Sequence, residues 1–304
     1  MADSSPPAKG EVQRLESSVR GQAKTALRRG RIELVLPRRQ EVAAWRHARI
    51  RRFHLPAEIE ATASAGGPDT FVVDLHRVVN RVRFRYGSGT WHPYVAALQE
   101  QLDGFEGDFE DSVLVRFYER FRPSTVHDAL LGDGIPRGVL AGWPAVDNLL
   151  EVWSVTERHV GEVKARMARS DTPWTSQYLG PTPLLHSREH LERIEEAYTS
   201  IRTTGYRPSA YADGVVTGYF LVDGDDYRFV VGDGNHRLAA LTLVDVNRIP
   251  VRLRLPHPPV VARDNLDRWT VEGGGLYSAE EASALFDSFF TDDGLERARL
   301  LGLS

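Results

Sequence analysis

Six consecutive residues, Gly232-Asp233-Gly234-Asn235-His236-Arg237, bring an acid, an amide, an imidazole and a guanidinium together. They stand between an apolar run, Tyr227 to Val231, and the helix-prone Leu238-Ala239-Ala240-Leu241. Two glycines let a backbone turn tightly and approach a ligand closely. The first amides of a helix lack intrahelical partners and favour an anion. Asn235, His236 and Arg237 add side-chain donors at the same pole. Gly232, Gly234, Asn235, His236 and Arg237 are therefore the candidate phosphate-binding residues. Asp233 is the candidate for holding Mg²⁺ through water, or for accepting the proton of an attacking hydroxyl. The same six residues also read as a plain Asp-Gly turn with Asn235 as an N-cap.

The elements that must position this turn are legible on both sides of it. Upstream, Leu191, Ile194, Tyr198 and Ile201 recur at helical spacing. Ser187 stands as the N-cap, Glu189 and Glu192 lie in the positive first turn, and Gly205 stops the helix. Two apolar runs, Val215 to Val222 and Tyr227 to Val231, flank Asp223-Gly224-Asp225-Asp226 and predict a β-hairpin. Downstream, Ile249-Pro250-Val251-Arg252-Leu253-Arg254 alternates apolar and basic residues as a half-buried strand does, with Pro250 at its beginning or on an edge.

The rest of the chain divides by composition. Residues 1–30 are a basic lead-in, disordered or loosely helical. Residues 31–168 read as a mainly helical domain, with Ile32–Leu36 as a short strand or extended anchor and helices at Arg38–Phe53, after Trp91-His92-Pro93 to about Leu102, within Asp111–Phe121, and at Leu149–Met167, where Val152–Val155 leaves a strand possible. Phe71–His76 is strand-like or the start of a buried helix, too short a run for periodicity to decide. The connector 171–185 carries Trp174 and Tyr178, so it packs on something. In the C-terminal stretch 257–304, Ala282, Leu285, Phe286, Phe289 and Phe290 form an apolar face that must dock on the body. The expected fold class is α+β: a small mixed sheet with packed helices over 169–256, flanked by the helical N-terminal domain and a helical C-terminal extension.

Composition excludes several chemistries. With no Cys among 304 residues, thiolate catalysis, disulfides and Cys-ligated metals are out. A hydrophobic share of 41% and a charged share of 26% are those of a globular protein. No run approaches the roughly 18 apolar residues of a membrane span, and no secretory signal opens the chain. A cytoplasmic location without membrane contact is the expectation. Residues 1–52 carry a net charge of +8, leaving −12 for the remainder. A solvated tail accounts for this charge, and nucleic-acid binding is the lesser alternative.

From Ser187 the order of helix, hairpin, Gly-Asp-Gly-Asn-His-Arg turn, helix and strand resembles the ParB/sulfiredoxin superfamily domain, over about residues 180–256. The resemblance implies nucleotide phosphates at the turn and helix start. Its branches include sulfinic acid reductases, DNA partition proteins and free-serine kinases. Asn235 stands where the reductases carry their Cys, which removes that activity. The partition proteins' Gly-Glu-Arg-Arg element is replaced by Gly234-Asn235-His236-Arg237, which argues against DNA partitioning. The form here is most similar to the kinase branch. That implies ATP or another nucleoside triphosphate with Mg²⁺, a small hydroxylated acceptor, and a Glu base upstream, for which Glu189 and Glu192 are the candidates. A non-catalytic nucleotide-binding switch or scaffold, with a protein partner or as a homodimer, stays open beside the kinase.

His186-Ser187-Arg188-Glu189-His190 matches the His-x-x-Glu-His pattern of inverted zinc peptidases. With Ser187 as N-cap, His186 would precede the helix and the two rings would not align. A chance match is the reading.

Overall fold

The computed structural model describes residues 70–132, 135, 137–169, 176–208, 214–244, 246–254 and 258–303. The expectations for residues 1–69 lie outside these, as does Trp174. The described residues all belong to a single compact unit.

Strands come first from the apolar runs. β1 is Thr70–Asp74 and β2 is Val78–Val79, separated by a 3-10 turn over Leu75–Arg77. α1 (Pro93–Leu102) begins on a Pro, whose missing N–H costs nothing at that position. α2 is Val113–Arg120, α3 Val126–Leu130 and α4 Glu157–Met167. α5 is Leu184–Thr204; β3 (Val216–Asp223) and β4 (Asp226–Asp233) form the predicted hairpin. α6 (Asn235–Leu243), β5 (Arg248–Leu253), β6 (Val260–Ala262), α7 (Ala279–Thr291) and α8 (Leu295–Leu300) complete the order.

The six strands make one mixed sheet, ordered β1-β5-β3-β4-β2, with β6 beside β3. β3 and β4 are antiparallel, as are β1 and β5. β2 runs parallel to β4, and β3 runs parallel to both β5 and β6. Helices α1, α2, α5 and α6 pack on one another, while α7 lies against β4 and a 3-10 segment at Arg263–Trp269. A continuous core joins Phe71, Phe84, Phe117, Phe220, Phe229, Phe286 and Phe289.

Two expectations are corrected and a third is narrowed. The stretch from Leu149, read as the start of a helix or a strand at Val152–Val155, instead meets two 3-10 turns, Asp147–Leu149 and Val152–Ser154, and α4 begins only after the Thr156 cap. Pro250 is near the beginning of β5, the first of its two expected places, and not on an edge, because β5 sits between β1 and β3. Pairing to β3 starts at Val251, so the residue without an N–H need supply no bond on that side. Ser187 is not the cap of α5: Pro183 holds that place, and Ser187 is buried within the first turn. The sheet also takes strands from 70–79 as well as from 216–262, across the boundary that composition placed at 168/169.

Candidate functional site

β4 ends on buried Val230 and Val231 and passes through Gly232 to an exposed Asp233. Gly234 then turns the chain in the left-handed region, at φ 109°, and α6 begins at Asn235. A side chain at Gly234 would meet Val216 at 2.9 Å, so both conformation and space call for glycine. The Asp233 carboxylate accepts the Gly234 N–H at 2.8 Å. The first helical bond closes from Leu238 N–H to the Gly234 carbonyl at 3.0 Å, which leaves the earlier amides at the pole without intrahelical acceptors.

The four side chains of the motif have different surroundings. Asn235 is buried between two tyrosines: the Tyr86 hydroxyl donates to its Oδ1 at 2.8 Å, and its Nδ2 donates to the Tyr178 hydroxyl at 3.0 Å. Arg237 is buried too, and its guanidinium donates to the Gly214 carbonyl just before β3. His236 stacks on Tyr94 with ring centroids 5.1 Å apart and planes within 9°. Its Nε2 lies 3.0 Å from Nδ1 of His190 on α5. Burial, then His190, Arg193 and Arg237, lower the His236 pKa from 6.5 to about 3. Burial, then Arg193 and His186, take His190 to about 4. Both rings are neutral at pH 7, so one imidazole N–H donates to the other ring.

Gly232 belongs to a second group. Arg81 donates to its carbonyl at 3.1 Å, and a side chain there would meet Arg254 at 2.7 Å. Glu151 lies between these guanidiniums, pairing with Arg81 and with Arg254 at 3.2 Å. Arg254 is partly exposed and Arg81 is buried. The Arg81 guanidinium also lies 5.6 Å from the Tyr178 ring centroid.

The turn thus unites Gly232, Asp233, Gly234, Asn235 and His236, with Arg237 tied behind it. Glu189 and Glu192 are exposed on α5, the helix that brings His190 to His236. Because α5 starts at Leu184, His186 and His190 do lie on one helix, four apart, and the reason for setting their pattern aside does not hold. Even so, no group of three or more His, Asp or Glu among the described residues is placed to hold a metal ion. Tyr86, Tyr94, Arg81, Glu151 and Arg254 were not legible as site residues. Tyr178, in a connector expected to pack, is the one with a prior signal.

Comparison with family models, curated proteins and solved structures finds no match to this chain. What the fold itself defines is an α+β protein with a small mixed sheet and a glycine turn at the end of its fourth strand. Among the described residues, no helix is long and apolar enough to cross a membrane.

Proposed function

We propose that this protein is a phosphotransferase that moves the terminal phosphoryl group of ATP, or another nucleoside triphosphate, to a hydroxyl of a small metabolite. The observation that carries the reading is the left-handed Gly234 turn, which opens a nine-residue helix beside the exposed carboxylate of Asp233. Phosphoryl transfer asks mainly for positioning and charge stabilisation. The Asn235 and His236 amides would hold phosphate oxygens at the helix start. Arg254, packed over Gly232 and partly exposed, would add a guanidinium. Arg237 holds the turn to the chain before β3. His236, being neutral, contributes at most an N–H and no charge.

In the step itself the acceptor oxygen bonds to the terminal phosphorus as the bond to the bridging oxygen breaks. The nucleoside diphosphate leaves, and Asp233 takes the hydroxyl proton. A divalent ion held by protein groups alone does not fit the described residues. Phosphate oxygens and water would hold Mg²⁺, with Asp233 reaching it only through a water, and the ion would neutralise developing charge.

The test is ATP and Mg²⁺ with pooled amino acids, sugars and polyols. ADP formation that requires one acceptor and disappears in Asp233→Asn is the expected result. One observation favours a second reading, a nucleotide-binding switch: Glu189 and Glu192 are exposed on α5, a helix whose described link to the turn is made by His190. ATP binding without turnover over the whole panel would select the switch. No binding at all would remove both.

A further inference from the structure

A different part of the molecule carries a second ligand site. Arg83 follows β2 and is the one non-glycine residue with positive φ, 72°, among the described residues. Its side chain is buried, 8% exposed. Its Nε is fully enclosed with no hydrogen-bond partner, and Nη1 reaches Asp292 only at 3.6 Å. Asp292 is already engaged, accepting from Arg297 Nη2 at 3.0 Å and from the Gly294 N–H at 2.8 Å. Two buried guanidiniums therefore share one carboxylate. A buried charge without hydrogen bonds is costly and calls for a counter-ion. The left-handed backbone at Arg83 belongs to a turn in which its N–H donates to the Asn80 carbonyl at 3.0 Å. Burial, then the Arg297 charge, push the Arg83 pKa down against the pull of Asp292.

Arg83 lines a cleft of about 600 Å³ against α7, together with Glu280, Ser283, Asp287, Ser288 and Thr291. That size is ordinary for small-molecule sites. The helix wall offers acceptors. The Ser288 hydroxyl proton is committed to the Leu285 carbonyl at 2.6 Å and that of Thr291 to the Asp287 carbonyl at 3.1 Å. The Asp287 carboxylate is already engaged, paired with Arg263 on one oxygen and accepting from Ser283 at 3.4 Å on the other. The Ser288 and Thr291 oxygens, with the Glu280 carboxylate, face a ligand as lone pairs. A phosphate would suit Arg83 but would be repelled by this wall. A carboxylate with an ammonium beside it suits both sides.

We propose that this cleft binds a small zwitterion of the α-amino-acid class, its carboxylate on Arg83 and its ammonium facing Glu280 and the Ser288 and Thr291 hydroxyl oxygens. The site is separate from the Gly232–His236 turn and stands whether or not that turn binds nucleotide.

Calorimetry on the full chain tests it, using the proteinogenic amino acids, matching carboxylic acids without the amine, matching amines without the carboxylate, and inorganic phosphate. At least one amino acid should bind, and removing either charged group should weaken it about tenfold or more. Arg83→Asn tolerates the left-handed backbone and removes the buried charge. It should keep or raise the melting temperature while abolishing the binding heat. Glu280→Lys changes an exposed position and should fold; it should weaken the amino acid and strengthen the amine-free acid. Asp233→Asn should leave binding intact. Silence across all amino acids, tighter binding of phosphate, or full binding by Arg83→Asn would each overturn the proposal.

Discussion

Asn235 shows how far a residue's role depends on partners that sequence spacing cannot reveal. Its type and place suggested a phosphate donor or a cap, yet both ends of its amide are used by hydroxyls 149 and 57 residues away, on Tyr86 and Tyr178. Asn235→Leu should cost about 2–4 kcal/mol in denaturant unfolding, because it strands two buried hydroxyls, whereas Tyr178→Phe should cost only about 1 kcal/mol. Equal costs would mean the amide does not bridge the two rings. Arg237 was similarly read as a fork at the pole, and only the fold places the Gly214 carbonyl against it. The histidines make a second residue-scale prediction. His236 and His92 have folded pKa values lowered from 6.5 to about 3, and His190 to about 4, by burial first. Between those values and 6.5 the unfolded chain binds more protons, so stability rises with pH there. Their contribution is complete above pH 6.5, shrinks as pH falls below it, and is gone by the folded values. Melting temperature should therefore fall from pH 6.5 towards pH 4, and His236→Asn should flatten that slope.

Among elements, α5 was recognisable from its buried Leu191, Ile194 and Ile201, but its beginning was not. The apolar rhythm starts late because Leu184 and Leu185 are exposed, so the first turn looked like loop and Ser187 like its cap. Pro183, extended at φ −55° and ψ 140°, is the real boundary. At α7 the cap is a serine, and the Ser278 hydroxyl accepts the Glu281 N–H at 3.1 Å. Ser278→Ala should thus lose about 1 kcal/mol, the usual value of a cap, and Ser187→Ala much less, by chemical denaturation. The hairpin was plain in the sequence because an Asp-Gly turn between two apolar runs is local chemistry. β1 and β2 were less so, since short strands buried in a mixed sheet show no alternation.

For the whole molecule, the C-terminal residues are part of the body. Leu285, Phe286 and Phe289 are in the core, and Arg297 donates to the Val82 carbonyl at 2.7 Å. Buried Glu281 accepts the amides of Val139 and Leu140, each at 3.0 Å. Glu281→Ala, which strands both amides, should cost about 2–4 kcal/mol, and a chain ending at residue 256 should show no cooperative melting transition. The pairing of β1 with β5 and of β2 with β4 has one more consequence, for the order in which the protein is made. Thr70 meets Arg252, and Val78 meets Phe229. During synthesis the first two strands leave the ribosome long before either partner exists, and contacts so distant in the chain form slowly. Phe71, Val73, Val78 and Val79, all buried in the finished protein, must meanwhile be shielded by collapse or by a chaperone. Ribosome-arrested chains should stay open to protease around residues 70–79 until β5 has emerged, and gain protection there only afterwards.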